Sequence, residues 1–188
     1  MKRSTFYFFA ITLLAAFASC NPTPKLYRID DTKRISIFQL DDTSLNAVKK
    51  YLSNFSSKAI QDTIIIMYDY NNEQCWNYID KVWTDGQFKT SVSYIQTQHE
   101  NLKSSRPGIS FFEFREPGEN FNKIKKYNTS IIVDKDLELY KFFFKEKNRC
   151  GNSILILPDG RYIFTRSDSH IFALEYSSED IKRLLNTK

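Results

Sequence analysis

The sequence predicts one α/β domain in which helices cover both faces of a mixed β-sheet, and two observations lead to this fold class. Apolar stretches with the composition of strands alternate along the chain with stretches in which apolar residues recur at helical spacing. The last two strand-like stretches are separated only by a tight turn, and a helical stretch follows them. We therefore expect a central mixed sheet that ends in a β-hairpin and a C-terminal helix.

The composition supports a folded chain and excludes several functional classes. The chain has 188 residues, the length of one domain, with 41% hydrophobic and 15% aromatic residues, which is ample material for a core. Three cysteines are too few for a disulfide scaffold, and two histidines are too few for a His-rich metal site. No run of basic residues interleaved with aromatics occurs. We therefore expect no nucleic-acid partner, and nothing in the sequence points to a cofactor or a bound metal.

The beginning of the chain is typical of an export signal. A basic start at Lys2 is followed by an apolar stretch over residues 6–17, which is too short to remain in a bilayer as a spanning helix. Two small residues then precede Cys20. This arrangement resembles the lipobox of bacterial lipoproteins, although Phe17 stands where that motif usually has Leu. The alternative is an ordinary secretory signal that is cut at the same place and leaves Cys20 as a free thiol.

The lipoprotein interpretation divides the chain into three parts. Residues 1–19 are the signal peptide, residues 20–34 contain the lipidated Cys20 and a polar tether, and residues 35–188 form the domain. A diacylglycerol thioether together with an N-acyl group anchors a protein stably in a membrane. We expect attachment to the cell envelope, in the outer rather than the inner membrane, although no acidic cluster follows Cys20 as a sorting cue. Export also exposes the remaining cysteines to oxidising conditions.

The first half of the domain is predicted as strand, helix, strand and two further helices. Residues 35–40 alternate between apolar and polar and predict an edge strand. Apolar residues at helical spacing predict a helix over residues 42–55, for which the initial Asp-Thr-Ser offers an N-cap. The continuous apolar run over residues 63–68 is typical of a strand covered on both faces. Helices are then predicted over residues 73–83 and 91–103.

The second half ends in the clearest local signal of the chain. Residues 153–165 contain two apolar strands joined by Pro-Asp-Gly, which predicts a β-hairpin. Ser177 then begins a closing helix, and the polar residues that follow it are suited to a helix cap. The elements predicted before the hairpin are strands at 109–114 and 130–133, a short helix around 119–126 and a helix at 134–147.

Three stretches resemble thioredoxin-like proteins, and in particular the larger lipoprotein and membrane-anchored thioredoxins that insert a strand and a helix. The apolar strand of residues 63–70 runs into a turn at residues 71–75, where a cysteine begins a helix. Residues 131–136 (IIVDKD) resemble the insertion, and residues 154–163 (ILILPDGRYI) resemble the penultimate hairpin. The resemblance covers residues 35–188 and implies a thioredoxin-like α/β fold.

The same resemblance implies a site around Cys75. It places Cys75 on the nucleophilic cysteine of the family and Asp69 on its buried acid, whereas the alternative for Asp69 is an exposed carboxylate at the end of a strand. Tyr78 stands where the second cysteine of the C-x-x-C motif belongs, and Gly151 stands where a cis-proline is expected. Without a resolving thiol in the motif, and with the proline loop reshaped, a standard disulfide reductase is not expected.

Cys150 directly precedes Gly151, in a loop that lies against the nucleophilic cysteine in this family. The resemblance therefore implies that Cys75 and Cys150 are neighbours. Three interpretations remain open at this stage: a structural or switchable disulfide, two unpaired buried thiols, or a redox pair that acts on other proteins. A helix N-terminus favours the thiolate of Cys75, whereas a nearby buried Asp69 opposes it.

These observations favour a lipid-anchored envelope protein with a degenerate active site, which binds a client or partner protein under redox control. Trp76, Tyr78 and Gly151 are the candidate binding residues, although a buried helix face is an alternative role for the two aromatics. A second hypothesis is a thiol–disulfide oxidoreductase with Cys75 as nucleophile and Cys150 as resolving thiol. A third is copper handling by the two cysteines and a histidine, since thiolate and imidazole suit copper. We expect both histidines at the surface.

Overall fold

A computed structural model describes residues 24–71, 74–118, 127–168 and 172–186. Its strands, numbered along the chain, are β1 (Ile35–Gln39), β2 (Thr63–Asp69), β3 (Ile109–Arg115), β4 (Ile132–Val133), β5 (Asn152–Ile156) and β6 (Arg161–Thr165). Its helices, numbered in the same way, are α1 (Asp42–Ser53), α2 (Gln74–Val82), α3 (Asp85–Ser105), α4 (Glu138–Phe142), α5 (Phe172–Glu175) and α6 (Ser178–Asn186). In the described ranges, none of these helices combines the length and the apolar composition that a bilayer crossing requires.

The strands form one mixed sheet in the order β1-β6-β5-β2-β3-β4. At its centre β2 pairs in parallel with β3 and antiparallel with β5, so the helices α2 and α3 form the crossover that a parallel pair needs. The hairpin of β5 and β6 and the edge strand β1 pair antiparallel, and β4 adds two parallel residues beyond β3. The predicted mixed sheet and the predicted terminal hairpin are confirmed.

The two faces of the sheet are covered by different groups of helices, because alternate residues of each strand point to opposite sides. On one face Ile64, Ile66 and Tyr68 of β2 pack with buried residues of α1 and α4. On the other face Ile65 and Met67 pack with α5 and with partly buried residues of α3 and α6. Both faces of β2 are therefore removed from water, which explains its continuous apolar sequence.

The N-cap of helix α1 lies one residue before the predicted cap. Asp41, in an extended conformation, accepts a hydrogen bond from the Ser44 backbone N–H at 2.7 Å, and that bond lowers the pKa of the Asp41 carboxyl. The buried side of the helix consists of Leu45, Val48 and Leu52, in agreement with the predicted helical spacing. The sequence signal located the helix correctly and misplaced only its cap.

Two helical predictions differ from the structure. The helix predicted over residues 134–147 is confined to α4, because Leu137 has a left-handed backbone (φ 57°) and Asp134 caps the turn with its carboxylate. Helix α3 begins at Asp85 instead of residue 91, since Thr84 and Gln87 form a capping box there. Helix α5 was not predicted. The helix predicted around residues 119–126 lies outside the described residues.

Residues 24–34, here called the N-terminal arm, contact the domain. The Lys25 carbonyl accepts a hydrogen bond from the Arg149 N–H at 3.0 Å. The Tyr27 N–H donates to Ser167 Oγ at 3.1 Å, and Arg34 is buried. Composition alone predicted a tether here and gave no sign of these contacts. The division of the chain at residue 34 stays a prediction, and the signal peptide and Cys20 lie outside the described residues.

Candidate functional site

A disulfide joins Cys75, in the first turn of α2, to Cys150. Cys150 lies in the loop of residues 143–151 that leads into β5, here called the Cys150 loop. The two Cα atoms are 5.3 Å apart, within the range that a disulfide requires. The predicted proximity of the two cysteines is confirmed, and the interpretation as two unpaired thiols is wrong for this state. Cys150 is buried and only 4% exposed, whereas Cys75 is partly exposed. Cys75 is therefore the more accessible residue of the pair.

Hydrogen bonds of Arg149 hold the same loop on the N-terminus of α2. The Arg149 carbonyl accepts from the N–H groups of Gln74 and Cys75, at 3.0 and 3.4 Å. The Arg149 Nε in turn donates to Gln74 Oε1 at 2.5 Å. The first N–H groups of a helix lack partners within the helix, and here a loop carbonyl supplies one. The covalent bond and these hydrogen bonds therefore fix the same two segments together.

The face of α2 that continues from Cys75 is exposed and partly apolar. Tyr78 and Val82 follow Cys75 at helical spacing, and they are 67% and 52% exposed. Ile79 and Trp83 lie on the neighbouring side of the helix axis, where they pack against the buried Phe88 and Val92 of α3. Tyr78 is thus available for contact beside the disulfide. The side chain of Trp76 lies outside the part of the chain that the structure describes.

Asp69 ends β2 and is buried, with 4% of its surface exposed, so the alternative of an exposed strand-end carboxylate is wrong. Its register partner on β3 is Arg115, which is also buried. Paired residues of neighbouring strands point to the same side of the sheet. A buried carboxyl group and a buried guanidinium group therefore occupy the same register position at this end of the sheet. The role of Asp69 as a proton acceptor stays a prediction.

Gly151 is itself buried, next to Cys150 at the end of the loop that leads into β5. The described residues contain no cis peptide bond, so the peptide before Gly151 is trans. The Gly151 carbonyl accepts a hydrogen bond from the Asp168 N–H at 2.6 Å. This loop carbonyl is therefore already bonded inside the domain, and a partner-binding role of Gly151 stays a prediction.

The side chain of Asn152 secures the loop from within, and sequence analysis did not find it. Its Oδ1 accepts from Asn148 Nδ2 at 2.7 Å and from the Ser167 N–H at 3.0 Å. Its Nδ2 donates to Tyr70 Oη at 2.6 Å and to the Glu146 carbonyl at 3.0 Å. A buried amide with these partners holds the backbone on both sides of Cys150. An isolated Asn at the start of a strand has no sequence pattern that reveals this function.

His99, the histidine within the described residues, does not join the two cysteines in a metal-binding group. His99 is buried, contrary to the predicted surface position, and its Nδ1 lies 3.4 Å from Glu113 Oε1. Its ring stands edge-on to Phe111, so α3 packs this histidine against β3. His170 lies outside the described residues. Within the described ranges, no group of three or more histidine, cysteine, aspartate or glutamate side chains is arranged to hold a metal.

Comparisons with known proteins give a distant similarity in structure. No family model matches the chain, and a search of curated proteins finds no match. Among solved structures, the chain is similar to a secreted Mycobacterium tuberculosis disulfide oxidoreductase homologous to E. coli DsbE. The TM-score is 0.37 and the identity 11%, over 69% of this chain and 84% of that chain. The order β6-β5-β2-β3, with a helix that begins at a cysteine after β2, is itself the thioredoxin-like arrangement. The chain has an α/β thioredoxin-like fold.

Proposed function

We propose that this chain is an exported, lipid-anchored thioredoxin-like protein that binds a client or partner protein beside the Cys75–Cys150 disulfide, under redox control. One observation carries the proposal. The disulfide joins the N-terminus of α2 to the Cys150 loop, while the exposed Tyr78 occupies the position of the missing second thiol. The site therefore keeps a reducible bond and presents a binding side chain where a reductase has its resolving cysteine.

The chemistry of this site supports reversible capture. A client thiolate that attacks the partly exposed Cys75 sulfur forms a mixed disulfide with Cys75, and Cys150 leaves as a thiolate. Attack of that thiolate on Cys75 restores the original disulfide and releases the client thiolate, so electrons balance without an added oxidant. Because Cys150 is held by its loop next to Cys75, this return step is intramolecular. The bound client is therefore released again unless a further contact holds it.

Tyr78 and Val82 supply that further contact in the proposal. Aromatic residues are enriched at protein interfaces, and these two side chains share the exposed face of α2 that begins at Cys75. A client strand or loop that reaches Cys75 passes over this face. We expect apolar contact with Tyr78 to slow the release of the client from α2, whether the client cysteine is a thiol or part of a disulfide.

The second candidate is a thiol–disulfide oxidoreductase, and the position of Cys75 favours it. A partly exposed sulfur at a helix N-terminus, with a second cysteine in bonding contact, has the parts that such an enzyme needs. In that mechanism reduced Cys75 attacks a client disulfide, and Cys150 resolves the mixed disulfide. Turnover then depends on a loop thiol that is buried, which predicts slow exchange.

Reduction of a generic disulfide substrate separates the two functions. We expect the unmodified protein to show little or no turnover, and Tyr78→Cys to raise it by restoring the C-x-x-C spacing. In Cys150→Ser the free thiolate of Cys75 attacks a client that is supplied as a disulfide, and one client sulfur leaves as a thiolate. The resulting mixed disulfide cannot be resolved within the chain, so the client is trapped. Adding Tyr78→Ala should lower the trapped amount severalfold, with Tyr94→Ala on α3, also an exposed tyrosine, as control. Rapid turnover that Cys75→Ser abolishes would favour the oxidoreductase.

The lipid anchor is tested separately at Cys20. Ala18, Ser19 and Cys20 support attachment to the cell envelope, and we place the protein in the outer membrane. Cys20→Ser should release the protein from membranes or block its maturation. A variant that remains membrane-bound and incorporates labelled lipid would contradict the anchor without affecting the proposed role of the disulfide.

A further inference from the structure

We infer that the N-terminal arm is a redox-linked clasp, which stays docked on the Cys150 loop while the Cys75–Cys150 disulfide is closed and is released when it is reduced. The inference rests on the proposed redox control of this site and names the segment that responds. It concerns residues 24–34, which lie between the predicted anchor and the first strand.

Arg149 couples the arm to the disulfide because it bonds in both directions. Its N–H donates to the Lys25 carbonyl of the arm at 3.0 Å. Its carbonyl accepts from Gln74 and Cys75 at the start of α2, and the next residue along the chain is Cys150 itself. The disulfide is thus one of the bonds that hold the Arg149 backbone in place, and the first contact of the arm depends on that position.

Tyr27 provides the second part of the clasp. Its N–H donates to Ser167 Oγ and its hydroxyl donates to Glu146 Oε1, both at 3.1 Å. Its ring has Lys25 Nζ at 4.2 Å from the centroid and the Arg166 guanidinium carbon at 5.6 Å. Glu146 lies in the same loop as Cys150, and its carbonyl is bonded to Asn152. A displacement of the reduced loop therefore affects both attachment points of the arm.

The redox step needs an external dithiol as reductant. The dithiol transfers two electrons and two protons, so the Cys75–Cys150 bond breaks, two thiols form, and the reductant becomes a disulfide. If a closed disulfide favours the docked arm, a docked arm must favour the closed disulfide by the same factor. The arm therefore influences the ease of reduction, and either side of this linkage can be measured.

Limited trypsin digestion of the full chain measures release of the arm. Arg28 is an exposed cleavage site in the arm, and Lys182 on α6 is an exposed reference site. We expect dithiothreitol to accelerate cleavage at Arg28 about fivefold over Lys182, as for the loss of one or two ordinary hydrogen bonds. A Cys75→Ser, Cys150→Ser double variant should show the faster rate with or without the reductant. Equal acceleration at both sites, or at neither, would overturn the clasp.

The reciprocal measurement is the thiol–disulfide equilibrium of Cys75 and Cys150 in a dithiothreitol redox buffer. Tyr27→Ala should shift this equilibrium toward the dithiol by a similar factor of about five, because both the hydroxyl hydrogen bond and the ring contacts are lost. Tyr27→Phe should shift it by less, because it loses the hydroxyl hydrogen bond and keeps the ring. Tyr94→Ala is the matched control and should leave it unchanged. An unchanged equilibrium in Tyr27→Ala would refute the clasp. Client trapping at Cys75 that persists when Tyr27→Ala is added to Cys150→Ser would show that the proposed function stands independently.

Discussion

Two parts of the connection between β4 and β5, the turn after β4 and the Cys150 loop before β5, are held in place by different chemistry. In the first, the fully buried carboxylate of Asp134 accepts four hydrogen bonds. The donors are Tyr51 Oη at 2.9 Å, Tyr68 Oη at 3.2 Å, Glu138 N–H at 3.0 Å and Tyr140 N–H at 2.9 Å. In the second, a disulfide holds a loop whose backbone is bonded to α2 and to the N-terminal arm.

The difference separates permanent from conditional structure. Both hydroxyl donors of the Asp134 turn have a raised pKa, mainly because they are buried, so they keep their protons throughout the ordinary pH range. No change in redox conditions affects these bonds. The Cys150 loop, in contrast, depends on a bond that a thiol can open. The turn between β4 and α4 is thus held by bonds that do not respond to redox conditions, whereas the Cys150 loop contains a bond that reduction opens.

The largest expected effect comes from the disulfide. The bond spans 75 residues, and removing it by Cys75→Ala with Cys150→Ala should lower the free energy of unfolding by about 4 kcal/mol in the loop-entropy model. Urea unfolding of the oxidised protein and the double variant measures the difference. Adding reductant to the double variant should change nothing. A difference below about 1 kcal/mol would mean that the unfolded chain is not restricted as that model requires.

Asp134→Asn should have the next largest effect, with a loss of about 3 kcal/mol. The amide nitrogen that replaces one carboxylate oxygen is itself a donor, so it faces two buried donors that then lack acceptors. The nearby exposed Asp136→Asn is the control and should change the unfolding free energy by less than about 0.5 kcal/mol. If both variants unfold at the same urea concentration, the carboxylate does not hold the turn as described.

Tyr68→Phe should cost about 1 kcal/mol at neutral pH, because one hydrogen bond to Asp134 is lost without a change in shape. The pKa of Tyr68 is raised above its usual 10.0 by burial, by the charge of Asp134 and by their hydrogen bond. The folded state thus binds this proton more tightly, so its stabilising contribution is complete below pH 10 and declines above it. Tyr68→Phe should flatten that decline in alkaline urea titrations. An identical slope in both proteins would contradict this assignment.

The sequence predicted best those features that local chemistry determines. The Pro-Asp-Gly turn of the hairpin, the buried run of β2 and the capped start of the last helix all follow from neighbouring residues. The 134–147 helix was predicted too long because Phe143 and Phe144 continue an apolar pattern although they pack in the core beyond the end of α4. Periodicity registers such residues but cannot distinguish a helix face from a buried loop.

The site was predictable only where a resemblance supplied the geometry. The pairing of Cys75 with Cys150 followed from the expected place of the loop, since two cysteines so far apart have no local signal. The contacts of Arg149, Asn152 and Tyr27 were not predicted, because a backbone carbonyl at a helix N-terminus and a tyrosine in a polar arm have no characteristic spacing. Such contacts depend on tertiary structure, which a single sequence does not display.

The docked arm also has a consequence for distance from the membrane. Lys25, the first residue of the arm with a contact to the Cys150 loop, follows Cys20 by five residues, and five extended residues reach at most about 17 Å. A chain anchored at Cys20 therefore holds its disulfide end against the bilayer surface while the arm is docked. When the arm is released as far as Arg34, the extended chain from Cys20 to Arg34 reaches about 48 Å. Under the proposed anchor and clasp, the clients that Cys75 can reach change from those at the membrane surface to those farther into the aqueous compartment.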